Sequence, residues 1–217
     1  MKRNILVVFL LLLNLAVCGQ KTITLQAGVS LSKMNAYNSM TDELGYEEPL
    51  TGFNASLGIE YPDRKYFFFS TKLGFIQKGG KDHVKVVNNS ENETGTIKVI
   101  TRLNYVTLNT AANFQYPLKE VIIPYIFIGP QLGYLISYWE NVSFIQQFDD
   151  YGLVQRIRLG MIAGGGIKTK INKWEVGTVI TYDYGFFKLV DDTSGWGVRN
   201  KMTDNAFTLN LQIGYNL

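Results

Sequence analysis

Few side chains of this chain are suited to catalysis, and they do not form a recognisable catalytic pattern. The single histidine, His83, stands in Lys81-Asp82-His83, and the single cysteine, Cys18, lies near the amino terminus. A Ser-His-Asp hydrolase needs its histidine between a serine and a buried carboxylate. A lone histidine in a charged loop is more typical of a solvated side chain. We therefore predict no catalytic site and no enzymatic activity.

Metal and cofactor sites are not predicted either. One histidine and one cysteine do not supply the ligand cluster of a zinc site. The acidic pairs Asp149-Asp150 and Asp191-Asp192 could bind calcium in loops, although solvation is the simpler interpretation. Gly164-Gly165-Gly166 lacks the spacing and the Lys-Ser/Thr of a phosphate-binding loop, so it predicts close packing of strands.

A second group of candidate residues consists of charged side chains that share one face of predicted strands: Glu60, Lys72, Arg158, Lys168, Glu175 and Asp183. If this face lines a narrow interior, the charges must pair, because an unpaired buried charge is strongly destabilising. Two interpretations remain open: a structural ion network that fills the interior, or a narrow path for water or ions. The elements that carry these residues decide where they point.

The first 19 residues are predicted to be an export signal. A basic start, Met1-Lys2-Arg3, is followed by an apolar run from Ile5 to Leu13 and by small residues before Gln20. These are the parts of a secretory signal peptide, and the run is shorter than the about 20 apolar residues of a transmembrane helix. We predict a signal peptide over 1–19 and one domain over 20–217.

Removal of this segment would change the charge and the cysteine content. Without Lys2 and Arg3, the formal net charge falls from +3 to +1, so no basic surface indicates a nucleic-acid partner. Loss of Cys18 would exclude a disulfide. Because Leu15-Ala16-Val17-Cys18 resembles a lipoprotein box, retention of a lipidated Cys18 is the alternative.

The remaining sequence alternates between apolar and polar residues, which is the signal of β-strands. The period of two recurs over residues 23–31, 53–61, 67–75, 106–115, 126–137, 157–168, 174–185 and 207–217. These lengths are near the about 9–11 residues with which a tilted strand crosses a bilayer. The alternation therefore predicts about eight strands of membrane-spanning length.

The connections alternate in length. Long links are predicted at 32–51, 78–100, 139–153 and 186–205, and short ones at 62–65, 117–121 and 170–173. Long extracellular loops and short periplasmic turns are the pattern of outer-membrane barrels. We predict an all-β fold: a single antiparallel up-and-down transmembrane β-barrel with both ends on the periplasmic side.

The composition of the polar face predicts which side of each strand points inward. A water-facing surface is usually about 25–35% charged, whereas this face is mainly Gly, Ser, Thr, Asn and Gln. A narrow barrel has room chiefly for small side chains, so the apolar face is predicted to meet lipid. Its boundary aromatics are Tyr61, Tyr116, Tyr134, Tyr138, Trp174, Tyr184 and Tyr215. A soluble periplasmic lipocalin-like barrel, with the apolar face inside, is the alternative.

Two local predictions follow from the strand assignment. Pro130 lies inside a strand and cannot donate a ladder hydrogen bond, so a bulge or break is expected at Gly129-Pro130. Val84-Lys85-Val86 and Ile97-Lys98-Val99 are predicted to extend one hairpin beyond the bilayer, with residues 88–95 as its tip. Protruding strand edges can capture another strand, which makes a protein partner plausible.

Four stretches carry a resemblance to a known family. They are LNYVTLNTAANFQYPL from Leu103, PYIFIGPQLGYLIS from Pro124, DYGLVQRIRLGMIAGGGIK from Asp150, and the closing LNLQIGYNL, in which Leu217 replaces the usual final aromatic. They resemble the strand motifs of the PorT-like outer membrane β-barrel domain family of Bacteroidota, over nearly all of the predicted domain. The resemblance implies a barrel in the outer membrane. It also raises a link to protein secretion, the role of the member that gives the family its name.

The sequence thus predicts a non-enzymatic, monomeric outer-membrane barrel that contacts membrane lipid and displays long extracellular loops. An accessory or interaction role is the leading hypothesis, with no cofactor and no nucleic-acid partner. A narrow pore for ions or small solutes, and the soluble periplasmic barrel, remain as alternatives.

Overall fold

The computed structural model describes residues 21–38, 44–45, 48–61, 65–87, 93–118, 121–141, 154–186, 190–193 and 199–217. Eight long strands are present: β1 (Thr22–Asn38), β3 (Glu48–Tyr61), β4 (Phe67–Val87), β5 (Glu93–Gln115), β6 (Ile122–Glu140), β7 (Ile157–Ile171), β8 (Trp174–Gly185) and β10 (Arg199–Asn216). Two short strands, β2 (Leu44–Gly45) and β9 (Val190–Thr193), flank β1 and β10. Within these residues no helix has the length and apolar character needed to span a bilayer.

The eight long strands form a closed antiparallel barrel. Each pairs with its neighbour in the chain, and β1 pairs with β10 from Thr22↔Asn216 to Asn38↔Asn200. Closure gives each long strand two partners. This is needed in a bilayer, because lipid cannot form hydrogen bonds with the backbone N–H and C=O groups of a free strand edge. The predicted fold class, an up-and-down barrel of eight long strands, is confirmed.

The alternation of side chains places the apolar face outside. Leu57, Leu132 and Leu211 are 58%, 44% and 68% exposed, whereas Gln212 is only 1% exposed. Gly133, next to Leu132, is buried. A soluble barrel would need the opposite arrangement, so this orientation disfavours the periplasmic lipocalin-like alternative.

Several strands continue beyond their predicted ends. Segments 32–51 and 186–205 were predicted as loops, but β1 extends to Asn38, β3 begins at Glu48 and β10 begins at Arg199. Those loop boundaries are wrong, because hydrogen-bonded pairing can continue in water where no apolar face is needed. The predicted extension of the β4–β5 hairpin is confirmed by the pairs from Asp82↔Val99 to Val87↔Glu93. Its tip is shorter than predicted, since Glu93 and Gly95 are paired strand residues.

Pro130 interrupts the β5–β6 ladder locally. The pairs Asn109↔Gln131 and Ala112↔Ile128 keep one register, and the two pairs expected between them are missing. Pro130 still pairs with Met161 on β7. The predicted break is therefore confirmed, and it occurs without a bulge.

A bulge occurs nearer the other end of the same ladder. Asn104 pairs with Ser137 and Tyr105 with Leu135, so Ile136 is left without a partner. The extra residue reverses the faces of β6 beyond it. Tyr138, predicted to face lipid, instead packs against buried residues inside the barrel, and the prediction for this residue is wrong.

Candidate functional sites in the lumen and at the loop end

A triad of charges fills the lumen near the end of the barrel that carries the short connections, here called the turn end. Lys168 Nζ lies 3.0 Å from Glu60 Oε2 and 2.9 Å from Glu175 Oε2. Gln212 Nε2 donates to Glu60 Oε1 at 3.2 Å, and Tyr125 Oη donates to Gln212 Oε1 at 2.9 Å. The hydrogen bonds of the amide and phenol leave this turn-end triad well satisfied although it is buried.

A second cluster lies nearer the end with the long connections, the loop end. Lys78 Nζ is 2.6 Å from Asp183 Oδ2 and 2.9 Å from Asp204 Oδ2, while Arg158 contacts Asp183 at 2.8 Å and Asp204 at 3.0 Å. Arg158 Nη1 also donates to Gln131 Oε1 at 2.5 Å. Each carboxylate of this loop-end tetrad bridges both cations, which closes the lumen at this level.

The structure brings together five of the six charged residues singled out by sequence, in two separate groups. The sixth, Lys72, faces the space between the triad and the tetrad. Among the described residues it has no carboxylate within ion-pair distance, and its Nζ lies 5.7 Å from the centroid of the Phe127 ring. Lys72 therefore joins neither of the two ion-paired clusters, unlike the other five predicted residues.

The sequence analysis missed two members of the tetrad, Lys78 and Asp204. Both fell in segments predicted to be loops, at 78–100 and 186–205. The signal that could have found them is parity: Lys78 shares the phase of Lys72 in β4, and Asp204 shares that of Gln212 in β10. Extending each strand by its period of two would have placed both side chains inside.

Apolar layers accompany the two charged clusters. Phe68, Tyr125, Phe127, Ile162 and Val179 belong to one buried group, and Lys168 Nζ lies 4.5 Å from the Phe68 ring centroid. A second group belongs to the loop-end half of the lumen: Met34, Ile76, Leu103, Tyr105, Leu135, Val154 and Ala206. The interior is thus a packed core, more apolar than the glycine and amide lining that the sequence predicted.

Between the two clusters lies a cavity of about 50 Å³. Its polar lining includes Lys72, Asn54, Asn109 and Asn210. Asn54 Nδ2, Asn109 Oδ1 and Asn210 Oδ1 have no hydrogen-bond partner within the described chain. Since a water molecule needs roughly 10–15 Å³ of such space and a few polar partners, the cavity has room for several waters that would satisfy these amides.

The charges of this interior balance. Lys72, Lys78, Arg158 and Lys168 face Glu60, Glu175, Asp183 and Asp204. The tetrad is neutral by itself, and Lys72 offsets the net negative charge of the triad. An ion crossing the lumen would have to separate buried pairs that are already saturated.

At the loop end, two pairs of strands project beyond their neighbours. The β1–β10 pair is flanked on both sides, because β2 pairs with Ala36 and Tyr37 and β9 pairs with residues 199–202. The β4–β5 pair is different. Beyond Glu48↔Lys81 on one side and Thr101↔Glu140 on the other, no third strand pairs with it in the described ranges. We call residues 82–87 and 93–99 the β4–β5 ribbon.

The base of this ribbon is capped by side chains. Asn141 Oδ1 accepts from Ile100 N at 2.7 Å, and Asn141 Nδ2 donates to Lys98 O at 2.6 Å. On the opposite edge, Asp82 Oδ1 accepts from His83 N at 2.8 Å. These contacts protect the first residues of each edge, and for the outer part the described residues supply no third strand.

His83 lies at the ribbon base. Its Nδ1 is 3.5 Å from Glu48 Oε1, and both side chains are about half exposed. This contact fits the predicted solvated role. In the described residues no group of three or more His, Cys, Asp or Glu side chains is placed to hold a metal ion. Cys18 and Asp149-Asp150 lie outside the described residues, and of Asp191-Asp192 only the backbone is described, in β9.

Comparison with known proteins agrees with this geometry. A family model described as outer membrane protein beta-barrel domain matches residues 19–191. No curated protein sequence is a significant match. The narrower resemblance to PorT-like proteins of Bacteroidota stays a prediction.

Solved structures show the same fold at low sequence identity. The outer membrane protein OprG from Pseudomonas aeruginosa aligns with a TM-score of 0.54 and 10% identity, over 92% of this chain and 98% of OprG. Neisserial surface protein A aligns with a TM-score of 0.50 and 9% identity, over 90% and 97% of the two chains. Both similarities concern the barrel alone.

Proposed function

Because this chain belongs to the family of outer membrane protein β-barrel domains, we propose that it is a sealed, non-catalytic outer-membrane protein that presents the β4–β5 ribbon to a protein partner. The turn end then faces the periplasm and the loop end faces the cell exterior, as in other outer-membrane barrels. The PorT-like resemblance implies an accessory role in protein secretion, in which the partner would be a protein of the secretion apparatus.

The open edges of the β4–β5 ribbon carry this proposal. The pairs from Asp82↔Val99 to Val87↔Glu93 span about 20 Å at the usual rise of a strand. An unpaired edge presents a row of amide and carbonyl groups that accept an added strand. The corresponding edges of β1 and β10 are occupied by β2 and β9. Among the described strands, this difference singles out the β4–β5 ribbon as the docking edge.

The packed lumen supports a sealed barrel. The side chains of the loop-end tetrad are at most 4% exposed, and those of the triad likewise. The second candidate function is a narrow ion path, favoured by the central cavity and by Lys72 beside it. It would require the tetrad to open.

A cross-linking experiment tests the ribbon. A photo-reactive amino acid is placed at Ile97, which lies on the ribbon and is 51% exposed, and in a second variant at Leu211 on the lipid-facing wall. In intact cells we expect one discrete protein adduct from Ile97 and none from Leu211. The Ile97 adduct should disappear when residues 85–96 are replaced by an Asn-Gly turn. Adducts that are equal at both positions would contradict the proposal.

Planar-bilayer recordings of the purified protein test the seal. We expect no unitary conductance steps from the wild-type barrel. Steps that vanish when Lys72 is replaced by methionine would favour the narrow-pore alternative instead.

A further inference from the structure

The outer row of β5 changes character near the loop end. Phe114, Leu108 and Val106 form its apolar part and are 52%, 45% and 37% exposed. Two residues at a time toward the loop end, the same row continues with Asn104, Arg102, Ile100 and Lys98. Arg102 and Lys98 are exposed. The row therefore passes from a lipid-facing surface to a cationic one within a few residues.

Neighbouring strands extend this cationic surface. Arg102 pairs across the ladder with Gly79 on β4 and with Trp139 on β6. Gly79 has no side chain to cover the guanidinium, and Trp139 is 54% exposed. Lys81 pairs with Ile100, the residue between Arg102 and Lys98 on the outer row. Arg102, Lys81 and Lys98 thus share one patch of the wall.

These three cations have no counter-ion in the described chain. None forms an ion pair there, and Glu48, which lies across the ladder from Lys81, contacts His83 instead. This differs from the lumen, where the tetrad cations are saturated by carboxylates. The patch is a set of positive charges directly above an apolar wall, and only Lys81 has a carboxylate across the ladder among the described pairs.

We propose that Arg102, with Lys81 and Lys98, binds the phosphate of an anionic glycolipid in the outer leaflet. Arginine presents a planar fork that matches phosphate oxygens. Trp139 is the kind of aromatic side chain that sits at headgroup level, with its ring half in the apolar layer. The acyl chains of a lipid bound here lie along Val106 and Leu108 on the same outer row. A soluble anion would gain nothing from that apolar continuation, so a lipid is the occupant that fits the whole surface.

The test uses the full barrel in detergent, with native mass spectrometry to count bound lipid. The probes are bisphosphorylated lipid A, the same lipid without its phosphates, and phosphatidylcholine. The variants are Arg102→Ala, Arg102→Lys, Lys81→Ala, and Lys33→Ala as the matched control. Lys33 is an exposed cation at the loop end of β1, paired with Asn205 on β10, and β3 separates its strand from β4 and β5. A heat-dependent shift in gel mobility verifies that each variant folds.

We expect the wild-type protein to retain bisphosphorylated lipid A and to lose most of it when the phosphates are removed. Arg102→Ala should weaken retention about tenfold, the effect of losing one bidentate charged contact. Arg102→Lys should be intermediate, Lys81→Ala should weaken retention less than Arg102→Ala, and Lys33→Ala should match wild type.

Three results would overturn the site. Equal losses for Arg102→Ala and Lys33→Ala would indicate diffuse attraction to the rim. Equal retention of phosphatidylcholine would remove the role of the anionic phosphate. Displacement of bound lipid A by millimolar inorganic phosphate would show that the lipid chains contribute nothing. The ribbon proposal is unaffected by any of these outcomes, because its readout is a protein adduct.

Discussion

At the scale of single residues, Lys78 and Asp204 show how the narrow lumen uses charge. Both side chains are almost completely buried, and each is held by two partners in the loop-end tetrad. A buried charge tolerates low dielectric only while its partners remain in place. Neutralising one member of the tetrad should therefore lower the free energy of unfolding by more than the loss of its own ion pairs, because the remaining charges stay buried without balance.

This reasoning gives a stability prediction for the tetrad. Lys78→Met should lower the free energy of unfolding by about 3–5 kcal/mol, the usual cost of breaking a buried pair. Adding Asp204→Asn to it should restore part of the loss, because the cluster becomes neutral again. Lys72→Met serves as the control, with a smaller effect, since Lys72 has no carboxylate partner in the described residues. Urea unfolding in lipid vesicles, followed by tryptophan fluorescence, measures all three.

Glycine residues in the lumen wall offer a matched pair of substitutions. A Cβ added at Gly129 would overlap Thr110 O on β5 and lie 2.6 Å from Ala111 Cα. Gly133 lies four residues further along β6. A Cβ added there would have Arg158 Cβ as its nearest heavy atom at 3.5 Å, which is an ordinary contact.

We therefore expect Gly129→Ala to destabilise the barrel by about 1–3 kcal/mol through overpacking. Gly133→Ala should change the free energy of unfolding by less than the Gly129 variant. The same urea titration compares the two, and a larger loss for Gly133→Ala would contradict the close approach of β5 and β6 at Pro130.

At the scale of elements, the sequence predicted the strands within the apolar belt and missed their ends. Inside the belt, lipid on one side and the lumen on the other impose strict alternation, so Leu57 and Leu211 were assigned correctly. Above the belt the outward positions become polar, as at Lys33 and Arg102, so the contrast between apolar and polar residues fades although the inward positions stay in phase. This is why Lys78 and Asp204 were assigned to loops. The bulge at Ile136 was also missed, because the reversal of faces it causes has no signature in composition.

The edge of β5 gives a prediction at this scale. Asn141 occupies the backbone groups of Lys98 and Ile100 much as a further strand residue would. Asn141→Ala should leave the barrel fold intact, since these bonds are solvent-exposed, but it should lengthen the free edge of the β4–β5 ribbon. We expect a larger fraction of dimers in detergent solution by light scattering. Asn216→Ala, which removes an amide at the turn end, is the control and should remain monomeric.

At the scale of the whole molecule, the outward apolar wall determines where the protein can reside. Leu211 is the most exposed of the large apolar residues described, and on the outer row of β10 it lies midway between Phe207 and Tyr215. Ile23 on β1 pairs with Tyr215 and lies near the turn end. Leu211 therefore lies in the middle of the apolar wall, and Ile23 lies at its turn-end boundary.

Arginine substitutions at these positions test the orientation of the wall. Leu211→Arg should reduce the free energy of folding into phosphatidylcholine vesicles by about 2–4 kcal/mol, and Ile23→Arg by about 0–1 kcal/mol, because the cost of a charge falls from the midplane to the interface. Equal costs at both positions would show that Leu211 does not face acyl chains.

The seam between β1 and β10 has a consequence for how the protein is made. The partner of β1 is β10, which is synthesised after the other seven long strands of the barrel, and their seventeen residue pairs join positions up to 194 residues apart. A chain that ends before β10 would therefore expose two unsatisfied margins to hydrocarbon, at β1 and at β8. Stable insertion of the closed barrel therefore requires β10, and products truncated before this strand would leave backbone groups unsatisfied in the bilayer.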